Sequence, residues 1–154
     1  MIGVFQLRQV KEFTEQVVSV VAQCVYNPTE EKMNGIIQLY KSDANRVLYA
    51  YDDGSRIAAI IGLLIKPEEI VILHIAVDQG MRGKGFGRAL LDEVMSLYEL
   101  TTLKTETDKD AVGFYRTCGF RIESLGELYP GVERFLCTKL RLDSIQCTEV
   151  ISSE

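Results

Sequence analysis

Apolar residues change their spacing several times along the chain, and each change predicts an element. Ile2 to Leu7 alternates over a short span, which predicts a first strand. From Val10 to Tyr26 the positions Phe13, Val17, Val20, Val21 and Cys24 form a helical stripe. Asn27-Pro28 breaks it. Thr29 with Glu30 and Glu31 then reads as the cap and acidic first turn of a second helix that runs to about Tyr40. Arg46 to Tyr51 predicts a strand, Asp52-Asp53-Gly54-Ser55 a hairpin turn, and Arg56 to Ile65 a longer apolar strand. After Lys66-Pro67-Glu68-Glu69, the run Ile70 to Val77 is almost entirely apolar and β-branched, as in a strand buried on both faces. A helix beginning near Gly85 follows, with Ala89, Leu90, Val94 and Leu97 on one side. Leu103 to Glu106 predicts another strand. Thr107 or Asp108 caps a short helix from about Lys109 to Cys118, and Gly119 stops it. Phe120 to Ser124 starts a strand, Tyr129-Pro130-Gly131 is a loop, and Arg134 to Leu140 closes the sheet. The order β-α-α-β-β-β-α-β-α-β-β predicts one α+β domain over residues 1–142 around a mixed sheet. Residues 143–154 have no clear period and read as a tail.

Composition narrows the setting. A chain of 154 residues that is 47% hydrophobic and 25% charged is long enough for a real core and is not a disordered composition. A formal charge of −5 argues against a general nucleic-acid binder and does not repel a cationic amine. Cys24, Cys118, Cys137 and Cys147 make no C-x-x-C pair and no zinc spacing with His74, the single histidine, so no metal is expected. There is no signal-peptide pattern and no run long enough to span a membrane. The expectation is a cytoplasmic protein with reduced thiols and no membrane partner.

The candidate chemistry lies between the central strand and the following helix, in Arg82-Gly83-Lys84-Gly85-Phe86-Gly87-Arg88. First-turn N–H groups have no partner within a helix, the dipole is positive there, and glycines admit a ligand to the backbone. Arg82, Lys84 and Arg88 add charge at that end of an acidic chain. The residues point to the phosphates of a cofactor, the alternative being a glycine-rich turn with solvated cations. A Walker A loop fails, because its first glycine would fall on Asp78 and Lys84 is followed by Gly85. A Rossmann fingerprint fails in both frames, its last position falling on Arg88 or Leu90.

What fits is R-x-x-G-x-G, from Arg82 through Gly85 to Gly87, preceded by Ile75-Ala76-Val77. This resembles the acetyl-CoA pyrophosphate loop of the GNAT N-acetyltransferase family. Ala111 to Phe120, AVGFYRTCGF, resembles the family's A-x-x-F-Y-x-x-x-G-F segment, and the element order is similar to that fold along almost the whole chain. The resemblance implies a GNAT-type mixed sheet with helices on both faces. It also implies acetyl-CoA as acyl donor and transfer of the acetyl group to a primary amine of a small molecule or peptide, by direct attack in a ternary complex. The main-chain groups of Ile75, Ala76 and Val77 would pair with the pantetheine arm, and the N–H of Val77 or its neighbour would polarise the thioester carbonyl. Gly83, Lys84, Gly85, Phe86, Gly87 and Arg88, with the charge of Arg82, would hold the pyrophosphate. Tyr115 would protonate the departing thiolate. Asp108 stands where many members have an Asn that contacts the cofactor; a carboxylate there faces an anionic ligand, and helix capping explains it equally.

The base that takes the amine proton stays open. Some relatives carry Glu or His two positions apart on the central strand, where this chain has Val71 and Leu73. His74 has the wrong parity for the cleft unless a bulge re-aims it. Glu106, Glu133 and solvent are the other candidates. The absent strand carboxylate motivates a second reading, a non-catalytic CoA-binding sensor or regulatory module. Cys24 to Met33 and Leu128 to Glu133 should border the acceptor pocket, with Tyr26, Tyr129 and Glu133 shaping it. Dimers are common in the family, so a homodimer is compatible with the resemblance.

Overall fold

The computed structural model describes residues 4–98 and 102–140. In chain order these form β1 (Gln6–Gln9), α1 (Glu15–Ala22), α2 (Glu30–Ser42), β2 (Arg46–Asp52), β3 (Ile57–Ile65) and β4 (Glu69–Val77). A 3-10 turn at Gln79–Met81 leads to α3 (Phe86–Leu97), β5 (Thr102–Asp108), α4 (Val112–Thr117), β6 (Arg121–Tyr129) and β7 (Val132–Leu140). The strands form a seven-stranded sheet in the order β1-β2-β3-β4-β5-β7-β6. β4 and β5 are parallel, while the β1–β2, β2–β3, β5–β7 and β6–β7 pairs are antiparallel. This is the α+β mixed sheet that the element order predicts. The residues fall into two compact units that share β4: 4–66 with 72–94, and 67–71 with 95–98 and 102–140. The expected tail at 143–154, and residues 2 and 3 of the expected first strand, lie outside the described residues.

In the first unit, two threonines start the helices. Thr14 accepts the N–H of Val17 at 3.3 Å, and Thr29 accepts that of Lys32 at 3.1 Å. The first helix therefore begins at Glu15, later than its apolar stripe suggests, while the second begins where its cap predicts. Val17, Val20 and Val21 of α1 with Met33 and Tyr40 of α2 pack on Leu48, Ala50 and Ile60. Tyr51 is one residue on from Ala50 and so faces the other side of the sheet. There it meets Phe86, in the first turn of α3, at a centroid distance of 6.0 Å, and Phe5 lies 4.8 Å from the same ring. Helices thus cover both faces.

The strand buried on both faces is β3, not β4. Residues Ala58 to Ile61 and Leu63 have no exposed area, whereas in β4 only Ile70, Ile72 and Ala76 are buried. An apolar run reports a capacity for burial, and the layers packed against it decide which strand uses that capacity. Alternation also lapses within β4. Leu73 and Ala76, three positions apart, both pack on the α1–α2 cluster. Between them the His74 ring reaches Tyr40, its Nδ1 lying 2.6 Å from the phenol oxygen. Tyr40 fits because residue 62 is glycine: an added Cβ would stand 1.7 Å from the phenol oxygen. Burial pushes the Tyr40 phenol far above its ordinary pKa and holds the His74 imidazole below its own, with the Arg46 charge adding to the second effect.

In the second unit, α4 ends in a Schellman motif. Gly119, at φ 88°, donates its N–H to Arg116 O at 3.1 Å, and Phe120 donates to Tyr115 O at 3.0 Å. The helix is shorter than predicted, and neither Thr107 nor Asp108 caps it. The Asp108 carboxylate takes the N–H groups of Asp110 and Ala111 in a turn ahead of the helix, which starts at Val112 with no side-chain cap. β6 is longer than predicted and continues to Tyr129, making a hairpin with β7. It lies at the end of the strand order, most of its residues are exposed, and its register shifts near Gly126. Such an edge strand needs no apolar alternation, so the sequence carries no mark of its second half.

Two outcomes follow from the Tyr40–Gly62–His74 contact. Gly62→Ala should lower stability by about 1–3 kcal/mol, the cost of overpacking a filled core, seen as a lower urea midpoint. The depressed His74 pKa means the unfolded chain binds a proton first as pH falls. Stability should therefore decline below the ordinary histidine value of 6.5 until the folded pKa is passed. Urea midpoints between pH 7.5 and pH 5 should fall more steeply for wild type than for His74→Gln.

Candidate functional site

Strand β4 leaves the sheet at Val77, where Asp78 N–H still bonds Ala58 O at 2.8 Å. The 3-10 turn closes with Met81 N–H on Asp78 O at 2.7 Å and buries the Met81 side chain. Beyond it the chain passes through Gly83 at φ 78° and Gly85 at φ 84°, a region that side chains other than glycine rarely enter. A Cβ added at either position would meet nothing within 4 Å, so the glycines answer to backbone conformation and leave open space over the loop. Helix α3 makes its first bond from Ala89 N–H to Gly85 O at 3.0 Å. Among the described residues, the N–H groups of Gly83, Lys84, Gly85, Phe86, Gly87 and Arg88 have no protein acceptor. Phe86 turns its ring inward to Phe5 and Tyr51, which leaves its amide as the group it offers outward. Lys84 and Arg88 are exposed and, among the described residues, make no ion pair. An anion that filled the loop would satisfy these donors at the positive end of α3.

Arg82 is placed differently. Its Nε donates to Val77 O at 3.0 Å, and its Nη2 donates to the Gln23 side-chain oxygen at 3.3 Å. Gln23 is the C-cap residue of α1. Its Nε2 donates to Asp78 at 2.8 Å, and its Oε1 also accepts the Gln79 N–H at 3.0 Å. The Gln23 bond is the main cause that holds the Asp78 carboxyl below the usual range, and Arg56, 3.4 Å from its other oxygen, adds to it. Sequence reading missed Gln23: a polar residue at a helix end, far from the loop in sequence, carries no signal.

On the same unit, Ile75 and Val77 are half-buried and Ala76 is buried. Cys24 is exposed as a residue, yet its sulfur lies against this strand. Desolvation pushes the thiol up to about 11, while a bond from the Ile75 main chain pulls the other way. The thiol donates to Val21 O at 3.2 Å. The first residues after α1 are thereby held beside Ile75. His74 is re-aimed by the lapse in alternation, toward Tyr40, with Nδ1 already bonded and burial holding its pKa below the ordinary value.

On the second unit, Tyr115 is 4% exposed, its ring between Phe114 and Phe120 at centroid distances of 5.1 and 5.2 Å. The Schellman turn fixes Phe120 against it. Asp108 Oδ1 accepts the N–H groups of Asp110 and Ala111, each at 3.0 Å, which is the turn that delivers the chain into α4. Of the carboxylates considered as bases, Glu106 is exposed, and Glu133 accepts a bond from the Ser124 hydroxyl. Val71 is half-buried, like Leu73.

Residues 43–122, just over half of the chain, match the acetyltransferase (GNAT) domain. The peptidyl-lysine N-acetyltransferase YjaB of Escherichia coli K12 is 39% identical over 61 residues, which is 35% of this chain and 42% of that protein. The chain thus spans less than half the length of that curated relative. In fold, an aminoglycoside 6'-N-acetyltransferase solved with coenzyme A superposes with a TM-score of 0.72 at 11% identity, covering 89% of this chain and 97% of the other. The spermidine/spermine N-acetyltransferase SpeG of Vibrio cholerae superposes with a TM-score of 0.71 at 16% identity, covering 92% and 98%. The match through the glycine loop and the Tyr115 segment, on this sheet, establishes that the chain belongs to the GNAT acetyltransferase family.

Proposed function

We propose that the chain is an acetyl-CoA-dependent N-acetyltransferase that modifies a primary amine by direct attack in a ternary complex. The observation that carries this reading is the row of main-chain donors from Gly83 to Arg88, unpartnered among the described residues, with open space over the loop and the charges of Lys84 and Arg88 beside it. Acetyl-CoA supplies an activated thioester. The loop amides bind the diphosphate, and the Lys84 and Arg88 charges draw it in. The main chain of Ile75, Ala76 and Val77 pairs with the pantetheine arm as an added strand would. The N–H at Val77 or its neighbour polarises the carbonyl under attack. Tyr115 gives its proton to the departing sulfur, so the thiol leaves neutral. Asp108 belongs to the turn before α4, because its Oδ1 already accepts two amides.

The acceptor arrives as an ammonium and attacks as a neutral primary amine. Solvent takes the proton its nitrogen loses and returns one to the Tyr115 oxygen, which balances the proton given to sulfur. The named relatives act on lysine side chains of peptides, on aminoglycosides and on polyamines, and what these acceptors share is an amine. The net charge of −5 suits a cationic one. Among the described residues no helix is long and apolar enough to cross a membrane. We place the reaction in the cytoplasm, where acetyl-CoA is supplied.

Isothermal titration should show acetyl-CoA binding to wild type and none to Gly85→Val, whose β-branched side chain cannot hold φ 84° and would fill the loop. Tyr115→Phe should lower turnover by about 10²–10⁴-fold, the range of general acid catalysis, with cofactor affinity unchanged. Thiol release against a panel of peptides, polyamines and aminoglycosides reads both turnover and acceptor. Binding with no turnover on any amine would instead support a CoA-binding sensor.

A further inference from the structure

Arg82 opens the glycine loop, yet its guanidinium is already held by protein on two sides, by Val77 O and by Gln23. The same Gln23 side chain bonds Asp78 and the Gln79 N–H. One carboxamide at the end of α1 therefore ties three points of the segment that carries β4 into the loop. Arg56 closes the far side through Asp78, and its guanidinium lies over Gly80, where an added Cβ would stand 2.6 Å from Nη2. We infer that Gln23 and Arg82 are positioning residues for the cofactor, clamping residues 78–82 so that the amides of Gly83 to Arg88 converge on a diphosphate. Arg82 acts through Val77 and Gln23, not as a phosphate ligand. The inference rests on the cofactor reading of the loop.

The physical need for a clamp comes from the loop's composition. Gly80, Gly83, Gly85 and Gly87 make this stretch costly to order, because glycine loses more conformational freedom than any other residue. Apart from Met81 and Gly87, residues 79–85 and 88 are exposed, so packing contributes little and polar ties must hold the loop. A loop ordered before the ligand arrives binds it more tightly, since the ordering cost is already met. Arg suits the clamp because its donors lie in one rigid plane, which lets two of them meet two acceptors at once. Lys84 and Arg88, without ion pairs among the described residues, are left to supply the charge.

The test measures coenzyme A affinity by isothermal titration for wild type, Gln23→Leu, Arg82→Lys and the double variant. Amide hydrogen exchange over residues 79–85 is followed in the ligand-free protein. Each single change should weaken binding about tenfold, the scale of a lost charge-assisted hydrogen bond, and the double change should do little further harm. Arg82→Lys is the decisive variant: it keeps the charge and loses the fork. If it binds like wild type, or if the two penalties multiply, Arg82 is not part of a clamp. In Gln23→Leu the Gln79 amide should exchange faster, and unchanged exchange overturns the clamp whatever the cofactor does. Wild type that fails to bind coenzyme A would overturn the proposed function, and the exchange measurement alone would then decide the clamp.

Discussion

The structure depends on a helix that starts without a cap. Most helix beginnings satisfy one of their orphan N–H groups with a side chain from the preceding residue. The residue before α3 is Gly85, at φ 84°, with no side chain to offer. Thr14 and Thr29 cap the two preceding helices in this way. The stability that a cap would contribute to α3, typically about 1 kcal/mol, is therefore absent at the place where an anion can supply it.

Something else must hold α3. Phe86 does so by burying its ring against Phe5 and Tyr51, so the first residue of the helix is anchored by packing. Leu90, Leu91 and Val94, all at or near zero exposure, continue that anchor along the helix. The division of labour is physical: apolar contacts fix the helix on the sheet, and the backbone donors of its first turn have no acceptor among the described residues. Polar side chains do the equivalent on the entering side, where Gln23, Arg56, Asp78 and Arg82 hold a glycine-rich segment that has almost no side chains to bury.

Helix α4 also begins without a side-chain cap, on Ala111, but protein groups close the chain around it. There the helix end is closed by Gly119 and Phe120, and Asp108 takes the amides just before its start. Tyr115 sits between two phenylalanines in consequence, with little freedom to change rotamer. The proton transfer proposed for Tyr115 would gain from such restriction, because the geometry would be set before charge develops.

Local signals in the chain determined the element order, the Thr29 cap, the hairpin turn after β2, the glycine loop and the stop at Gly119. Each of these rests on residues within a few positions of one another, where propensity and backbone sterics act directly. The tertiary structure decided what depends on contact between distant residues. Gln23 meets Asp78 and Arg82 across 55 and 59 positions, and Tyr40 meets His74 across 34. It made β3 rather than β4 the strand covered on both faces, and it broke the alternation that would have turned His74 away from Tyr40. It extended β6 with no apolar pattern, because an edge strand is held by main-chain pairing with β7. Periodicity records which residues can be buried; only packing chooses their neighbours, and no window of sequence contains both partners.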